Sequence, residues 1–295
     1  MSRFMCILKF SYKLKLCGLI LAIAACNEPR LQLEPVLPPT PLKASRIAFG
    51  SCNDYYSSQP RWEPMAALKP QLFIWTGDIV YADENHFLPL RGFAWFRWPA
   101  SGITESDLRG AYARQKSLSG YRKLRDTARV LGIYDDHDYG KDIAGKEFAL
   151  RAESQRALMD FLDEPANSPR RERAGAYASY YYGYGIHRVR VIILDTRYHR
   201  ESPGEQSDIL GEEQWQWLRT ELETSKSAVH VLVSSIQVLP QEHSYEKWAD
   251  FPRARERLLN LLRETKPAGL FLISGDRHLS EFSRLQEEDL DLWEV

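Results

Sequence analysis

Six short apolar runs, each followed at once by polar residues, constrain the fold of this 295-residue chain more than any other feature. The runs lie at residues 46–49, 71–75, 129–134, 189–194, 229–233 and 269–273. They are rich in branched residues and do not alternate with polar ones, which is typical of strands buried on both faces. Helical patterns lie between or after them at residues 107–116, 146–162, 211–223 and 251–264. This alternation of strand and helix predicts an α/β fold.

The residues that follow these strands can bind ligands or metals. They are Gly50-Ser51-Cys52, Gly77-Asp78, Asp135-Asp136-His137-Asp138, Asp195-Thr196-Arg197, Ser234-Ser235 and Ser274-Gly275-Asp276-Arg277-His278. A single Asp after a strand is more often a turn former or a helix cap. However, ligands of open α/β sheets bind beyond the carboxyl ends of the strands, where all six segments would meet. The series therefore predicts a metal site.

The first 25 residues are typical of a signal peptide. Residues 1–15 hold four basic and no acidic side chains, and residues 16–25 are an unbroken apolar stretch that is too short to span a bilayer. Residues 23–26 (IAAC) resemble the lipobox of bacterial lipoproteins, in which Cys26 is acylated. The alternative is plain cleavage, with Cys26 incidental. We expect a periplasmic, lipid-anchored protein, and the non-acidic Asn27 favours the outer membrane over the inner.

Residues 26–44 are predicted to tether this anchor to the domain. They contain five prolines and no glycine, which favours an extended, polyproline-like segment. No internal repeat or second linker follows, so residues 45–295 are expected to form one domain. Cys52 is the only cysteine of that domain, and a lone thiol in an oxidising compartment is either buried and inert or held by a metal. The net charge of −1, with no basic block beyond residue 15, argues against a nucleic-acid partner.

The chain resembles the alkaline phosphatase D family, a branch of the metallophosphoesterases. The matching segments are FGSC (49–52), GDIVYAD (77–83), YDDHDYGKD (134–142), LDTRYHR (194–200), LGEEQWQWL (210–218), SSIQVLP (234–240), EKWADFPRARERL (246–258) and SGDRH…E (274–281). They cover essentially the whole domain in the family's order. The resemblance implies a four-layer α-β-β-α sandwich and a secreted, metal-dependent phosphoric ester hydrolase. It leaves open a monoester or diester substrate, which is a small molecule, a phospholipid or a polymer.

Two metal ions are implied by this resemblance. Asp78 directly follows a strand and a glycine, so its carboxylate can bridge both ions. Cys52, Tyr81 and His278 would complete the first site with Asp78. Their thiolate, phenolate and imidazole groups suit a transition metal, and the family uses ferric iron there. The alternative for Tyr81 is an ordinary residue of the pocket wall.

The second site would consist of oxygen ligands from Asp78, Asp136 and Asp276, which suit a hard cation such as Ca²⁺. A departure from the family pattern lies nearby. The family's DDHDYG segment usually continues with an Asn-Asp pair, whereas this chain has Asp142-Ile143. Asp142 can still donate oxygen, so it is a possible further metal ligand.

The expected reaction is in-line attack of a metal-bound hydroxide on phosphorus. His137 is the candidate proton donor or transition-state stabiliser, with a supporting role behind the ligands as the alternative. Arg197 and Arg277 are fixed cations near the strand ends. Arg197 either contacts the phosphate or pairs with a buried Asp. The changed segment at Asp142 also motivates a different function, a non-catalytic protein that binds phosphoryl ligands.

Predictions can also be made for an aromatic stretch and for the C-terminal residues. The aromatic stretch at residues 93–98 (FAWFRW) either grips a ring-bearing leaving group or packs its own long loop. In the family, the strand with the SGDRH segment precedes a further strand pair, and this chain ends seventeen residues after His278. We therefore expect residues 285–295 to supply one or two short strands without their usual continuation, as in a truncated product.

Overall fold

A computed structural model describes residues 43–54, 58–86, 97–99 and 102–295 of the chain. The predicted signal peptide, Cys26, most of the tether and residues 93–96 of the aromatic stretch lie outside the described residues. The predictions for these segments stay predictions. None of the helices in the described ranges combines the length and the apolar run that are needed to cross a bilayer.

The described strands form three sheets. They are β1 (Ile47–Gly50), β2 (Leu72–Thr76), β3 (Glu84–His86), β4 (Arg97–Pro99), β5 (Arg129–Ile133), β6 (Ala178–Tyr182), β7 (Val189–Ile193), β8 (Val229–Val233), β9 (Leu270–Ile273), β10 (Ser283–Gln286) and β11 (Asp291–Glu294). The small sheet has the order β1-β2-β5, and the large sheet has the order β10-β11-β9-β8-β7-β6. Strands β3 and β4 form a separate antiparallel pair.

Eight α-helices are described. They are α1 (Trp62–Ala67), α2 (Glu105–Ser117), α3 (Ser119–Thr127), α4 (Asp136–Tyr139), α5 (Arg151–Phe161), α6 (Pro169–Glu172), α7 (Glu212–Thr224) and α8 (Pro252–Thr265). Helix α2 begins at a capping box in which Thr104 and Asp107 each accept a hydrogen bond from the other's backbone N–H. Helix α8 begins with a proline, whose missing N–H would have no partner in the first turn.

The two larger sheets lie between two groups of helices. Strand β7 shows this, because Val191 and Ile193 pack into a core shared with the small sheet, whereas Ile192 faces a second core. The first core also contains residues of α2, α3 and α5, and the second contains residues of α7 and α8. The resulting order is helices, small sheet, large sheet, helices, as the predicted sandwich requires.

All six predicted strands and all four predicted helices are present, with ends that differ by a few residues. The largest difference is at α5, which begins at Arg151 rather than at residue 146. The N–H of Lys146 donates instead to the carbonyl of Arg200 at 2.8 Å, which keeps this part of the chain irregular. The expected strands near the C-terminus are β10 and β11, with β11 between β10 and β9.

Candidate metal centre and active site

The carboxyl ends of both parallel strand sets meet at one place. The hydroxyl of Thr76, at the end of β2, donates to the carbonyl of Ser274, just after β9, at 3.2 Å. The hydroxyl of Ser235, after β8, donates to Asp135 Oδ1, after β5, at 2.5 Å. Gly77 is required in this crowded junction, because a Cβ atom there would lie 2.5 Å from that of Asp135. The two sheets therefore present their strand ends to one site.

Strained backbone marks the same place. Four of the eight non-glycine residues with positive φ in the described ranges are predicted metal ligands, namely Cys52, Asp78, Asp276 and His278. Such conformations cost free energy for residues with a Cβ atom and occur preferentially at functional sites. Here they turn four ligand-capable side chains out of the strand direction directly after β1, β2 and β9.

Three groups of side chains lie close enough to hold metal ions. Cys52, Asp78 and His278 form one group, Asp78, Asp136 and His137 the second, and Asp78, Asp135 and Asp276 the third. Within each group the candidate ligand atoms lie within 4.8 Å of one another. Asp78 is common to all three groups. This is the position that a bridging carboxylate would occupy between two cations.

The softer ligands lie on one side of Asp78. Cys52 Sγ is 3.7 Å from Asp78 Oδ2, and the Tyr81 hydroxyl is 2.8 Å from His278 Nε2. Burial is the main cause that raises the pKa of the Cys52 thiol, to about 11. The thiol is thus protonated in the absence of a metal, whereas a bound cation would deprotonate it.

Carboxylates crowd the other side of Asp78. Burial and the charges of Asp135 and Asp136 raise the pKa of Asp276 to about 8. Burial and the same two neighbours raise the pKa of Asp78 well above its usual value. The pKa of Asp136 is lowered instead, because its charge is favoured by Arg197, by His137 and by two backbone N–H groups, which outweigh burial.

The side chains around Asp78 are suited to bind cations. Oδ1 of Asp78 and Oδ2 of Asp276 are buried and accept no hydrogen bond from the described residues. Buried carboxylate oxygens without a partner are costly, and a cation between them would both satisfy them and offset the repulsion among these carboxylates. The donor set is mixed on the side of Cys52 and Tyr81 and all oxygen toward Asp276. The three ligands expected for the second site do not form one group, because Asp276 lies with Asp78 and Asp135, whereas Asp136 lies with Asp78 and His137.

His137 is held by a residue that the sequence interpretation missed. Its Nδ1 lies 2.9 and 3.1 Å from the two carboxylate oxygens of Asp83, and its ring stacks at a tilt on Tyr81 with a centroid distance of 4.4 Å. Burial lowers the pKa of His137, but the hydrogen bond with Asp83 and the charge of Asp136 outweigh it and raise the pKa to about 9. The two carboxylates thus favour the protonated imidazole, which is the form that a proton donor needs.

Arg197 is an anchor in this arrangement. Its side chain has 0% exposure, its Nε donates to Asp135 Oδ1 at 2.6 Å, and its Nη2 forms an ion pair with Glu246 at 2.7 Å. A guanidinium group enclosed in this way holds Asp135 and the loop of Glu246 in place. Of the two roles that the sequence left open, the geometry favours pairing with a buried carboxylate over contact with a phosphate.

Asp142 does not join the three ligand groups found in the described part of the chain. Its backbone N–H donates to Asp83 Oδ2 at 2.8 Å, and the next N–H, of Ile143, donates to Asp136 Oδ2 at 2.8 Å. Residues 142–143, which depart from the family pattern, thus support Asp83 and Asp136 through their backbone N–H groups. Metal ligation by the Asp142 side chain stays a prediction.

A cavity of about 340 Å³ lies elsewhere, beside the amino end of β5. It is lined partly by Arg125 and Arg170, which form ion pairs with Asp163 and Glu164 respectively. Because sites in α/β proteins lie at the carboxyl ends of the strands, we place the candidate site at Asp78 rather than in this cavity.

A layered α/β sandwich whose strand ends bring together thiol, phenol, imidazole and carboxylate groups has the architecture of a metallophosphoesterase. The family model for PhoD-like phosphatases matches residues 47–294, and the chain belongs to this family. Over 274 residues the chain is 25% identical to alkaline phosphatase D of Bacillus subtilis (strain 168). The aligned region covers 81% of this chain and 46% of that protein. These findings confirm the family that the sequence motifs indicated.

A solved structure of PhoD is also similar, with a TM-score of 0.67 and 22% identity over 87% of this chain and 57% of that one. This likeness confirms the predicted fold. The chain spans about half the length of the curated relative that it matches.

Proposed function

We propose that this protein is a metal-dependent hydrolase of phosphoric esters. The observation that carries the proposal is the position of Asp78, which is shared by three ligand-capable groups where the ends of two parallel strand sets meet. Membership of the PhoD-like phosphatase family and the similarity to a protein named alkaline phosphatase D support the same chemistry.

We assign Fe³⁺ to Cys52, Asp78, Tyr81 and His278, since thiolate, phenolate and imidazole groups favour a transition metal. Ca²⁺ is assigned to Asp78, Asp136 and Asp276, with Asp142 as a possible further ligand. Metal ions bound here would supply positive charge to the phosphoryl oxygens and activate the attacking water.

The chain's own residues have separate tasks in this proposal. His137 donates a proton to the leaving oxygen, because Asp83 and Asp136 favour its protonated form and only 19% of its side chain is exposed. Asp83 orients that imidazole through Nδ1. Arg197 neutralises Asp135 behind the site, so that Asp136 stays ionised.

Elemental analysis combined with ester assays tests the function. Purified protein is analysed for iron and calcium and assayed on an aryl phosphomonoester and an aryl phosphodiester, with and without added Ca²⁺. We expect bound metal and steady turnover of at least one ester. Asp78→Asn should lose both, whereas Asp126→Asn, at an exposed position of α3, should lose neither. Tight binding of a phosphoryl ligand without turnover would instead support a non-catalytic binding protein.

We also propose that the protein is exported and held in the periplasm by lipid on Cys26, on the outer membrane rather than the inner. Its substrate is a phosphoester small molecule, a phospholipid or a polymer that reaches this compartment. Fractionation of cells that express wild type and Cys26→Ser tests the anchor. Cys26→Ser should leave the membrane fraction, and an unchanged distribution would argue against lipidation.

A further inference from the structure

Two loops beside the candidate metal centre carry polar groups that the centre does not use. The first follows β8 and closes on itself, because Gln237 pairs with Lys247 in a β-bridge and the N–H of Trp248 donates to the Gln237 carbonyl at 2.9 Å. The second follows β9 and contains Asp276 and His278 of the centre. Arg277 lies between these two residues in the sequence, so its Cα atom is about 4 Å from the Cα atom of each.

Arg277 is a cation with two guanidinium-group nitrogens that lack an acceptor in the described part of the chain. Its guanidinium carbon lies 4.7 Å from the centre of the Tyr245 ring, so the aromatic face of the first loop supports it. Its Nε and Nη1 atoms are buried and have no hydrogen-bond partner among the described residues. Because desolvated donors of this kind are normally paired, an acceptor from outside the chain is expected at this position.

His243 adds neutral hydrogen-bonding capacity next to this cation. Both of its ring nitrogens are buried and have no partner among the described residues, and its ring centroid lies 6.3 Å from that of Tyr245. Burial, together with the positive charges of Arg277 and Lys247, lowers the pKa of His243. The imidazole is therefore neutral at neutral pH, with one N–H to donate.

The nearby carboxylate does not satisfy these donors. Glu281 accepts hydrogen bonds from Ser283 Oγ at 2.9 Å and from Gln237 Nε2 at 3.3 Å. Arg277 acts on Glu281 through its charge rather than through a hydrogen bond. The positive potential of Arg277 is thus reduced but remains available to a ligand.

The loop that carries Tyr245 and His243 is fixed to the metal centre. Glu246, the residue after Tyr245, forms ion pairs with the buried Arg197 and Arg200. Arg197 in turn holds Asp135. The aromatic support under Arg277 is therefore placed relative to the strand ends before any ligand binds, which lowers the entropic cost of binding.

We propose that Arg277, His243 and Tyr245 form a subsite for a second anionic group of the substrate, a phosphate or a carboxylate next to the scissile ester. The binding of an anion by these residues does not depend on the proposed function. The proposed function is needed only to place the scissile ester next to that anion. A planar guanidinium group on an aromatic ring is preorganised for oxyanions, and a charge-assisted hydrogen bond to it is stronger than a neutral one. The subsite would make the enzyme prefer bis-anionic over mono-anionic esters.

Selectivity between two substrates with the same scissile bond tests the subsite. We compare kcat/KM for 4-nitrophenyl phosphate and for an analogue with an added ring carboxylate. Arg277→Gln should reduce kcat/KM for the carboxylated ester at least about tenfold more than for the parent ester. Arg284→Gln is the matched control, because Arg284 also lies on an aromatic ring, that of Trp293, at 5.0 Å, and it should leave the ratio unchanged.

Binding without turnover separates this proposal from the proposed function. Calorimetry measures the affinity of wild type and Arg277→Gln for propane-1,3-bisphosphonate and for propylphosphonate. Wild type should prefer the bisphosphonate, and Arg277→Gln should reduce that preference about tenfold. If the preference changes in this way but neither ester is hydrolysed, the subsite stands and the hydrolase function falls. Equal effects on both ligands, or no effect on either, would overturn the subsite.

Tyr245→Leu covers the case in which Arg277→Gln fails to fold. This variant removes the ring beneath the guanidinium group but keeps the charge, and Tyr245 is 62% exposed, so its replacement should not disturb the core. We expect a smaller loss of preference for the bisphosphonate in the same direction. An unchanged preference would overturn the subsite.

Discussion

The Nδ1 atom of His137 lies 2.9 Å from Oδ1 of Asp83, a residue that follows Tyr81 by only two positions. Tyr81 itself stacks on the His137 ring. One short segment after β2 thus provides a candidate ligand and the carboxylate that orients the candidate proton donor. In the proposed reaction, the other ring nitrogen, Nε2, would be the one that donates the proton.

Replacing His137 by alanine should lower kcat about 10² to 10⁴-fold, because a proton donor acts in the transition state and not in metal binding. Metal content, measured by elemental analysis of the same preparation, should stay close to that of wild type. Loss of metal in His137→Ala would make His137 a ligand, as its proximity to Asp78 and Asp136 allows.

Asp83→Asn should lower kcat about 10 to 100-fold, since an outer carboxylate that orients a functional side chain typically contributes this much. The amide keeps the size of the side chain but loses the charge that favours the protonated imidazole. In a double-mutant cycle, Asp83→Asn should have little further effect once His137 is alanine. Additive losses would show that Asp83 acts independently of His137.

The strands, with ligand-capable residues directly after them, could be predicted because they depend on local pattern. Continuous branched runs such as residues 229–233 have little alternative to a buried strand, and that strand is present with the same bounds. Helices α1 and α3 were missed because they are short, with six and nine residues, and α3 buries only Tyr121 and Leu124.

The roles of Asp83 and Glu246 could not be predicted for a different reason. Asp83 meets His137 across 54 positions of sequence, and Glu246 meets Arg197 across 49. Such pairings depend on how loops from two sheets meet, which strand periodicity does not specify. Asp83 does lie within the GDIVYAD segment, so the motif contained the residue but gave no sign of its partner.

Ferric iron bound by thiolate and phenolate should give charge-transfer absorption that colours the protein. Cys52→Ser and Tyr81→Phe should each change the visible spectrum, because each removes one of these donors. Tyr184→Phe is the control, since Tyr184 is 69% exposed and lies outside the site. A colourless, active protein that contains only zinc would refute the iron assignment and leave the hydrolase proposal intact.

Replacing Arg197 by alanine should destabilise the fold by roughly 3–5 kcal/mol, because Asp135 and Glu246 would be left as buried charges without their partner. Urea denaturation followed by tryptophan fluorescence measures this change. Arg219→Ala removes an exposed arginine that also pairs with two acids, Glu223 and Glu264, and should cost about 1 kcal/mol or less. A raised KM at unchanged stability would instead assign Arg197 to phosphate contact.

Removal of metal should lower the melting temperature, and Asp78→Asn should raise it again in the metal-free protein. Burial and the neighbouring Asp135 and Asp136 raise the pKa of Asp78, so its ionised form opposes folding at neutral pH unless a cation is bound. A neutral amide of the same size removes that repulsion. For a domain of this size each kcal/mol gained corresponds to about 2–4 °C.

Thermal unfolding in the presence of a chelator, and after metal is added back, measures this effect. The metal should stabilise wild type strongly and Asp78→Asn weakly, so the order of the two melting temperatures should reverse between the two conditions. Asp126→Asn should follow wild type in both, because Asp126 is an exposed carboxylate of α3. If Asp78→Asn is less stable than wild type without metal, Asp78 stabilises the fold by itself and its position does not depend on a cation.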